Sequence, residues 1–580
     1  MPRPNIILDD FSSGHISPLL EGRIDSEDFK SGLSECINMF PDPRGPVLGI
    51  PGWKHIGEIA EGDYSVLYEF TVSATEAYLF AFSDLKLAIY NATTEAVEII
   101  LDTLYTQEDL SGDDGKGTLL WAKVAPNGKA IYFTHNAYTQ YKLVVDLEQA
   151  IPADKWTWEA VTFTGAPADW ADGDFPTVVT FFQGRSWWAG MKKFPNRMYA
   201  SKSGSANWED MTTGTTADDG LQFDIDRYGR IVWLAEGKDL LIGTVNSEFV
   251  ATSEGGVIQP GDIQVNHESS NGSKPVIPDF ISRELAYISP DGRKLKTMWY
   301  KWLENGWISK DVTYKSEDIT FSGIKRLCFA RNPNSIAWCL LETEDLVGAY
   351  YLRESSEEPA IGWFTTESQM SITSAASIDS LGNSELWAIG RVEVEGVQKL
   401  HLMRKAAFEL QTPDKVYLDN YKEYTFAEPT TTITGLDYLE GKTVHAVGDR
   451  AHMGSYVVQS GSIELRDGAI NVVVGLQFRQ YIKTLPLRST REQGQGHQMK
   501  RWNGIWVDVE DSYLPLINGK RASERHATTL MDTGEPKLSE FVRATALGWD
   551  RKGQIEIEQD LPLELNIKGI YGEAATEQVG

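Results

Sequence analysis

The feature that most constrains what this chain can fold into is a short unit written many times over: a polar turn followed by a brief apolar strand. Its clearest copy is Arg230–Thr244, RIVWLAEGKDLLIGT. Ile231, Trp233 and Leu240 to Ile242 supply the β-branched and aromatic bulk of two strands, and Glu236-Gly237-Lys238-Asp239 supplies the reversal. One such hairpin has an apolar face with nothing to bury it against, so it is marginal alone. Related units stand at Ser73–Tyr90, Pro126–Thr134, Gln183–Gly190, Pro290–Tyr300, Asn332–Leu341 and Leu381–Gly390. They recur roughly every 40 to 60 residues, which is the period of four-stranded propeller blades and not of helical solenoids. The expected fold class is therefore mainly β: a β-propeller-like platform spanning 61–410, with most of the chain from Tyr64 to Ala406 in sequential antiparallel sheets around one axis.

Flanking segments read differently. Residues 1–60 are expected to form an extended N-terminal segment docked on the platform. Within it lies a short helix with Ser26 as N-cap, Glu27 and Asp28 in the first turn, and Gly32 behind. From Ala406 the texture changes, and the polar stretch 411–429, punctuated by Pro413 and Pro429, reads as a boundary. Short β-rich runs separated by Gly441, Asp449, Gly461 and Gly475 then predict a small β-barrel or β-sandwich over 411–500, ending in the polar joint Arg491–Lys500. Residues 501–580 resume strands and are expected to return to the platform. The tail Glu573–Gly580 has too little apolar content to order itself.

At 580 residues, several domains are expected. No apolar run approaches the length of a membrane-spanning helix, and the N-terminus lacks the basic-then-apolar layout of a secretory signal. The three cysteines, Cys36, Cys328 and Cys339, cannot build a disulfide framework. Cys328 and Cys339 are spaced to face each other across neighbouring strands, or to stand as buried free thiols, and synthesis in a reducing cytosol fits either. Lys plus Arg 54 against Asp plus Glu 83 leaves a net charge of −29. So acidic a protein is a poor candidate for gripping nucleic acid through phosphates. The surplus acts as a solubility device, or as a surface past which DNA moves without sticking.

Chemistry is sparse. The nine histidines are scattered, and H-E-x-x-H, paired C-x-x-C and G-x-S-x-G are all absent. Gly112–Thr118 resembles a phosphate loop only in its glycines; its spacing is wrong, and Asp113 and Asp114 would repel a phosphate. Asp224-Ile225-Asp226 begins like a calcium loop, but Tyr228 stands where an oxygen ligand is required, so a strand ending in a turn is the reading. Trp156–Trp158 and Trp187-Trp188 offer aromatic platforms for sugars, yet aromatics at strand positions more commonly fill cores. Catalytic residues: none. Cofactor-binding residues: none. Metal ligands: none.

A resemblance runs through the chain in order. The N-terminal F-S-x-G-x-I-S-P-L-L-x-G-R-x-D (Phe11 to Asp25), then Gly32-Leu33, then P-x-G-P-V-x-x-x-P-G-W (Pro43 to Trp53) open the match. It continues with Gly184-Arg185, Trp187 to Gly190, Lys193 to Asn196, Ser201 to Gly204, Trp233-Leu234, Gly237–Thr244, Gly256, Ile258 and Pro260. Ser270 to Ser273, Pro278, Gly292 to Lys294, Gly435 to Val444, Val474 to Leu476, Thr484 to Leu487 and Gln559 to Leu563 complete it. The chain thereby resembles the tail nozzle proteins of short-tailed bacteriophages, also called tail tubular protein B. Gly49-Ile50 depart from that pattern, standing where many relatives carry an arginine pair. The resemblance implies a non-enzymatic structural subunit of the virion, made in the host cytoplasm. It implies a homo-oligomer, a hexameric ring around the DNA channel at the distal part of a short tail, taking part in DNA retention and ejection. Implied partners are the tail adaptor protein, tail fibres or tailspikes, and genomic DNA passing without specific binding. The alternative is a carbohydrate-active or glycan-binding β-propeller protein, which needs convergent carboxylates and an arginine cluster.

Overall fold

The computed structural model describes residues 5–112, 120–171, 173–353, 359–380, 382–412, 415–487, 498–521, 536–544 and 548–576. Six consecutive four-stranded antiparallel units occupy 66–102, 121–160, 178–224, 231–269, 279–311 and 324–365. We number them blades 1 to 6. Blade 7 takes Ser371–Ser380, Asn383–Val394 and Val397–Lys405 from the C-terminal side, and its outermost strand is Lys54–Glu61, from the far end of the chain. Register pairs such as Arg404 with Lys54 and Leu400 with Ala60 fasten this strand. The inner strand of blade 7 then packs beside Val66–Ser73, the inner strand of blade 1, so the circle closes. The expected propeller is present.

The founding hairpin illustrates why the strands form. Ile231–Glu236 and Leu240–Thr244 pair antiparallel around Gly237, and all but one of their residues are buried. Buried on both faces, such strands read as continuous apolar runs instead of alternating ones. The space between blades is filled by large aromatics. Trp156, Trp187, Trp188, Trp233, Trp363 and Trp387 are all within 1% of complete burial. Burial of side chains of this size contributes the dominant favourable term, about 3 kcal/mol each.

The two ends of the chain are woven together on the outside of blades 6 and 7. Gly14–His15 runs parallel to Gly32–Leu33 and meets Trp363 in the outer strand of blade 6. The short helix Glu27–Ser31 between them has the Ser26 cap expected, with Ser26 Oγ accepting from the Asp28 N–H. Gly32–Ile37 pairs with Gln480–Thr484, which pairs in turn with Glu556–Gln559. A second sheet joins Asn5–Leu8, Val47–Gly49, Lys500–Val509 and Phe541–Ala544 to the long strand Asn566–Thr576. Between these lies a four-stranded module, Leu418–Thr434, Thr443–Gly448, Ala451–Val457 and Ser462–Gln477. A single apolar cluster runs from blades 6 and 7 through the N-terminal segment into this module and the C-terminal sheet.

Two expectations change. The polar stretch 411–429 is largely strand, since Leu418–Thr434 runs through it. Pro429 fits because the ladder to Ser462–Gln477 is irregular between Thr425 and Thr430, where no N–H is required. The tail is ordered as far as Thr576: Arg501 faces Ala575 and Trp502 faces Ala574. Partner strands order it, which its own composition does not reveal. Most of the joint 491–500 lies outside the described residues.

Candidate functional site

Inner-strand residues of blades 1, 2, 4, 5, 6 and 7 line a cavity of 440 Å³ towards the propeller axis. Its lining is rich in charge: Glu69 from blade 1, Lys123 from blade 2, Glu236 from blade 4, Asp279 from blade 5, and Lys325, Arg326 and Arg331 from blade 6. Some of these charges are already matched. Lys123 Nζ lies 2.5 Å from Glu236 Oε1, and Glu236 Oε2 accepts from Thr180 Oγ1 at 2.6 Å. Arg331 pairs with Asp379 at 2.9 Å.

The rest are held differently. Arg326 donates to the Leu67 carbonyl and lies 4.7 Å above the Tyr68 ring, while the Lys325 ammonium sits 4.2 Å above the Tyr64 ring. Asp279 Oδ1 accepts from the Phe280 N–H at 2.7 Å. Glu69 keeps solvent access inside the cavity, whose walls crowd around it. That enclosure pushes its carboxyl above the usual range, and the Arg326 guanidinium opposes the push. Burial raises the Asp279 carboxyl in the same way, against the Phe280 N–H and Arg331. Carboxyls raised by burial that line one cavity mark a candidate site.

A second polar cluster sits where blade 7 meets the module. His55 Nδ1 contacts Asn420 Oδ1 at 2.8 Å, and Asn420 Nδ2 reaches His401 Nδ1 at 2.9 Å. Tyr438 stacks on His55 with ring centroids 4.0 Å apart. Burial lowers His55 to about 3 and His401 to about 4, so both are neutral at pH 7. Beside them, Lys405 donates to the Pro51 carbonyl and is pushed down to about 8 by burial, with Asp419 opposing. His55, His401 and Asn420 are buried where the two parts meet and join them, while Lys405 and Asp419 border a small pocket beside them.

The residues considered from sequence fall as follows. Trp187 and Trp188 are wholly buried, their indole N–H groups donating to the Phe182 carbonyl at 3.1 Å and Ser186 Oγ at 2.8 Å. Trp156 is buried and donates to Glu98 at 2.9 Å. None of the three is a sugar platform. Asp224 ends its strand in a two-bond pair with Arg197, at 2.6 and 2.9 Å. Of the glycine-rich run, Gly112 closes the short helix Gln107–Ser111 in a left-handed conformation, and 113–118 lie outside the described residues. Cys328 and Cys339 are on neighbouring strands but one register apart, so they point to opposite faces and cannot bond. Burial pushes the Cys339 thiol up to about 12, and raises Cys36 and Cys328 likewise. Among the described residues no group of three or more His, Cys, Asp or Glu is placed to hold a metal. His497 and His526 lie outside those residues.

The cavity charges were not singled out from sequence, because blade-length stretches separate them and no motif links them. A signal existed: Glu69 in VLYEF and Lys325-Arg326 in IKRLCF are charges inside otherwise apolar strands.

No protein-family profile matches the chain, and no curated protein sequence matches it. Among solved structures, it is similar to the β-propeller domain of Cps50 (Swd1) from Myceliophteria thermophila, at 10% identity and a TM-score of 0.37, over 61% of this chain and 100% of that one. The WD40 domain of Neurospora crassa Pan2 is similar at 8% identity and a TM-score of 0.36, over 62% of this chain and 96% of that one. The C-terminal WD40 domain of Sif2 follows at 9% identity and a TM-score of 0.36, over 62% of this chain and 99% of that one.

Proposed function

We propose that this chain is a structural subunit of the tail nozzle of a short-tailed bacteriophage, one of several copies in a ring around the path of the DNA. The observation that supports the reading is where the segments of the nozzle resemblance fall. Phe11 to Asp25 and Pro43 to Trp53 belong to the woven end of the chain, Gly184 to Thr244 to blades 3 and 4, and Gly435 to Val444 to the module. Gln559 to Leu563 leads into the last strand. The match thus reaches the woven ends, the middle blades of the propeller and the module, instead of one propeller blade that unrelated proteins would share. In this reading the ring, hexameric in the resembling family, sits below a tail adaptor protein, beside fibres or tailspikes, and retains the genome until ejection. Its work is mechanical, and no catalysis is required of it.

Electron microscopy of the purified protein tests this directly. Closed rings with an axial pore, formed alone or on addition of virion tails that lack the protein, are the expected result. A chain that stays monomeric at high concentration and is absent from purified virions would exclude the reading.

A further inference from the structure

We infer that the cavity on the propeller axis is a binding site for a small zwitterion of the α-amino-acid type, its ammonium held by Glu69 and Asp279 and its carboxylate by Lys325 and Arg326. The inference stands whether or not the chain forms a ring. It begins with size: 440 Å³ lies within the range of small-molecule sites. It continues with the charges left over once the matched pairs are set aside. Lys123 belongs to Glu236, and Arg331 to Asp379. Two carboxylates and two cations remain, contributed by blades 1, 5 and 6. Among the described residues none of these four closes an ion pair, although Arg326 and Asp279 lie within electrostatic reach of Glu69, and Arg331 and Lys123 within that of Asp279.

Local placement supports the pairing of the two cations. Lys325 and Arg326 are adjacent on one strand and both line the cavity, at a point where the ladder of that strand slips between Ile324 and Arg326. Each cation is then steadied on a tyrosine ring, Lys325 on Tyr64 and Arg326 on Tyr68.

The chemistry of the occupant follows from what the site refuses. A simple anion would meet Glu69 and Asp279, and a simple cation would meet Lys325 and Arg326. A neutral sugar would leave all four charges unmatched, and would find the faces of Tyr64 and Tyr68 already covered. A molecule with both charges a few bonds apart satisfies both pairs through charge-assisted hydrogen bonds. Trp121, Leu234 and Phe280 offer apolar wall for its side chain.

Isothermal titration of the full chain tests the inference with defined probes: leucine, phenylalanine and glycine as zwitterions, N-acetyl-leucine without the ammonium, leucinamide without the carboxylate, and glucose and inorganic phosphate as the other chemistries. Binding of at least one free amino acid is expected, weakened about tenfold or more when either end is blocked. These comparisons use the unaltered protein, so no folding defect intrudes. In Glu69→Gln the preference for a free ammonium should shrink while that for a free carboxylate stays. In Lys325→Met the reverse should hold, and Lys325→Arg should restore it, with circular dichroism confirming the fold of each. No binding of any amino acid at 10 mM on the order of the weakest useful affinity, equal binding of the blocked forms, or glucose or phosphate binding that depends on the same residues would each overturn it.

Discussion

Gly243 stands directly opposite Trp233 in the founding hairpin, and the indole lies across the space where a side chain would begin. A Cβ added there would sit 1.9 Å from Trp233 Cε2, 2.3 Å from Nε1 and 2.4 Å from Cζ2. Restoring ordinary contact requires the ring to retreat about 1.5 Å or more. It has nowhere to go: Trp233 is fully buried, and the Tyr287 ring of blade 5 is 5.7 Å away, centre to centre. Overpacking of this kind costs about 1–3 kcal/mol, and the rigidity of the indole places Gly243→Ala at the upper end. Trp233→Ala removes the ring and costs about 3–5 kcal/mol through lost burial and the cavity left behind. Adding Gly243→Ala to Trp233→Ala should then cost almost nothing, because the obstruction is gone. The coupling between the two substitutions should therefore nearly equal the whole cost of Gly243→Ala alone. Equilibrium urea unfolding, followed by near-ultraviolet circular dichroism with the slope checked for constancy, measures all three variants. A Gly243→Ala protein as stable as the parent would refute the reasoning. So would an equal cost with and without the ring.

Three further outcomes are expected. His55 and His401 have folded values below 6.5, so protonation favours the unfolded chain: stability is complete above about pH 6.5 and falls as pH drops toward 4 and 3, by about 3 kcal/mol for each histidine at pH 4. Unfolding curves across that window check it, and His401→Gln should flatten the slope. The buried thiols of Cys36, Cys328 and Cys339 should resist a thiol reagent at pH 8 in the native protein and all react once urea unfolds it; one fast-reacting thiol in the native state would contradict their burial. If copies assemble into a ring, the axial wall should be richer in Asp and Glu than in Lys and Arg, so that duplex DNA is not held; tight, salt-sensitive duplex binding by the assembled ring would rule this out.

Much of the propeller was legible because each blade announces itself locally. The turn at Gly237-Lys238 and the apolar runs beside it lie within one hairpin, and the same local pattern recurs in the other blades. The helix after Ser26 was legible for the same reason, since a cap and its first turn are neighbours in sequence. What stayed hidden depends on distant partners. Lys54–Glu61 reads as an ordinary strand, and nothing in its residues points to Val397–Lys405 as the mate. The order of Ala574 and Ala575 comes from Trp502 and Arg501 across a ladder, not from apolar content. Glu69, Asp279 and Arg326 converge only because three blades turn toward one axis.

The pairing of Asn5–Leu8 with Asn566–Thr576 also sets a timetable for synthesis. Once made, Asn5–Leu8 must wait for Asn566–Thr576 to emerge, about half a minute to two minutes at ordinary elongation rates. Blades 1 to 6 can form in order as they emerge, but blade 7 lacks its outer strand until Lys54–Glu61 is captured, and the outer weave cannot finish before Asn566–Thr576 is made. A product cut short of that strand therefore carries finished blades with open sheet edges, the kind of surface that invites pairing with another chain. Arrival of Asn566–Thr576 acts as the checkpoint for assembly: only then are these two distant strands locked together.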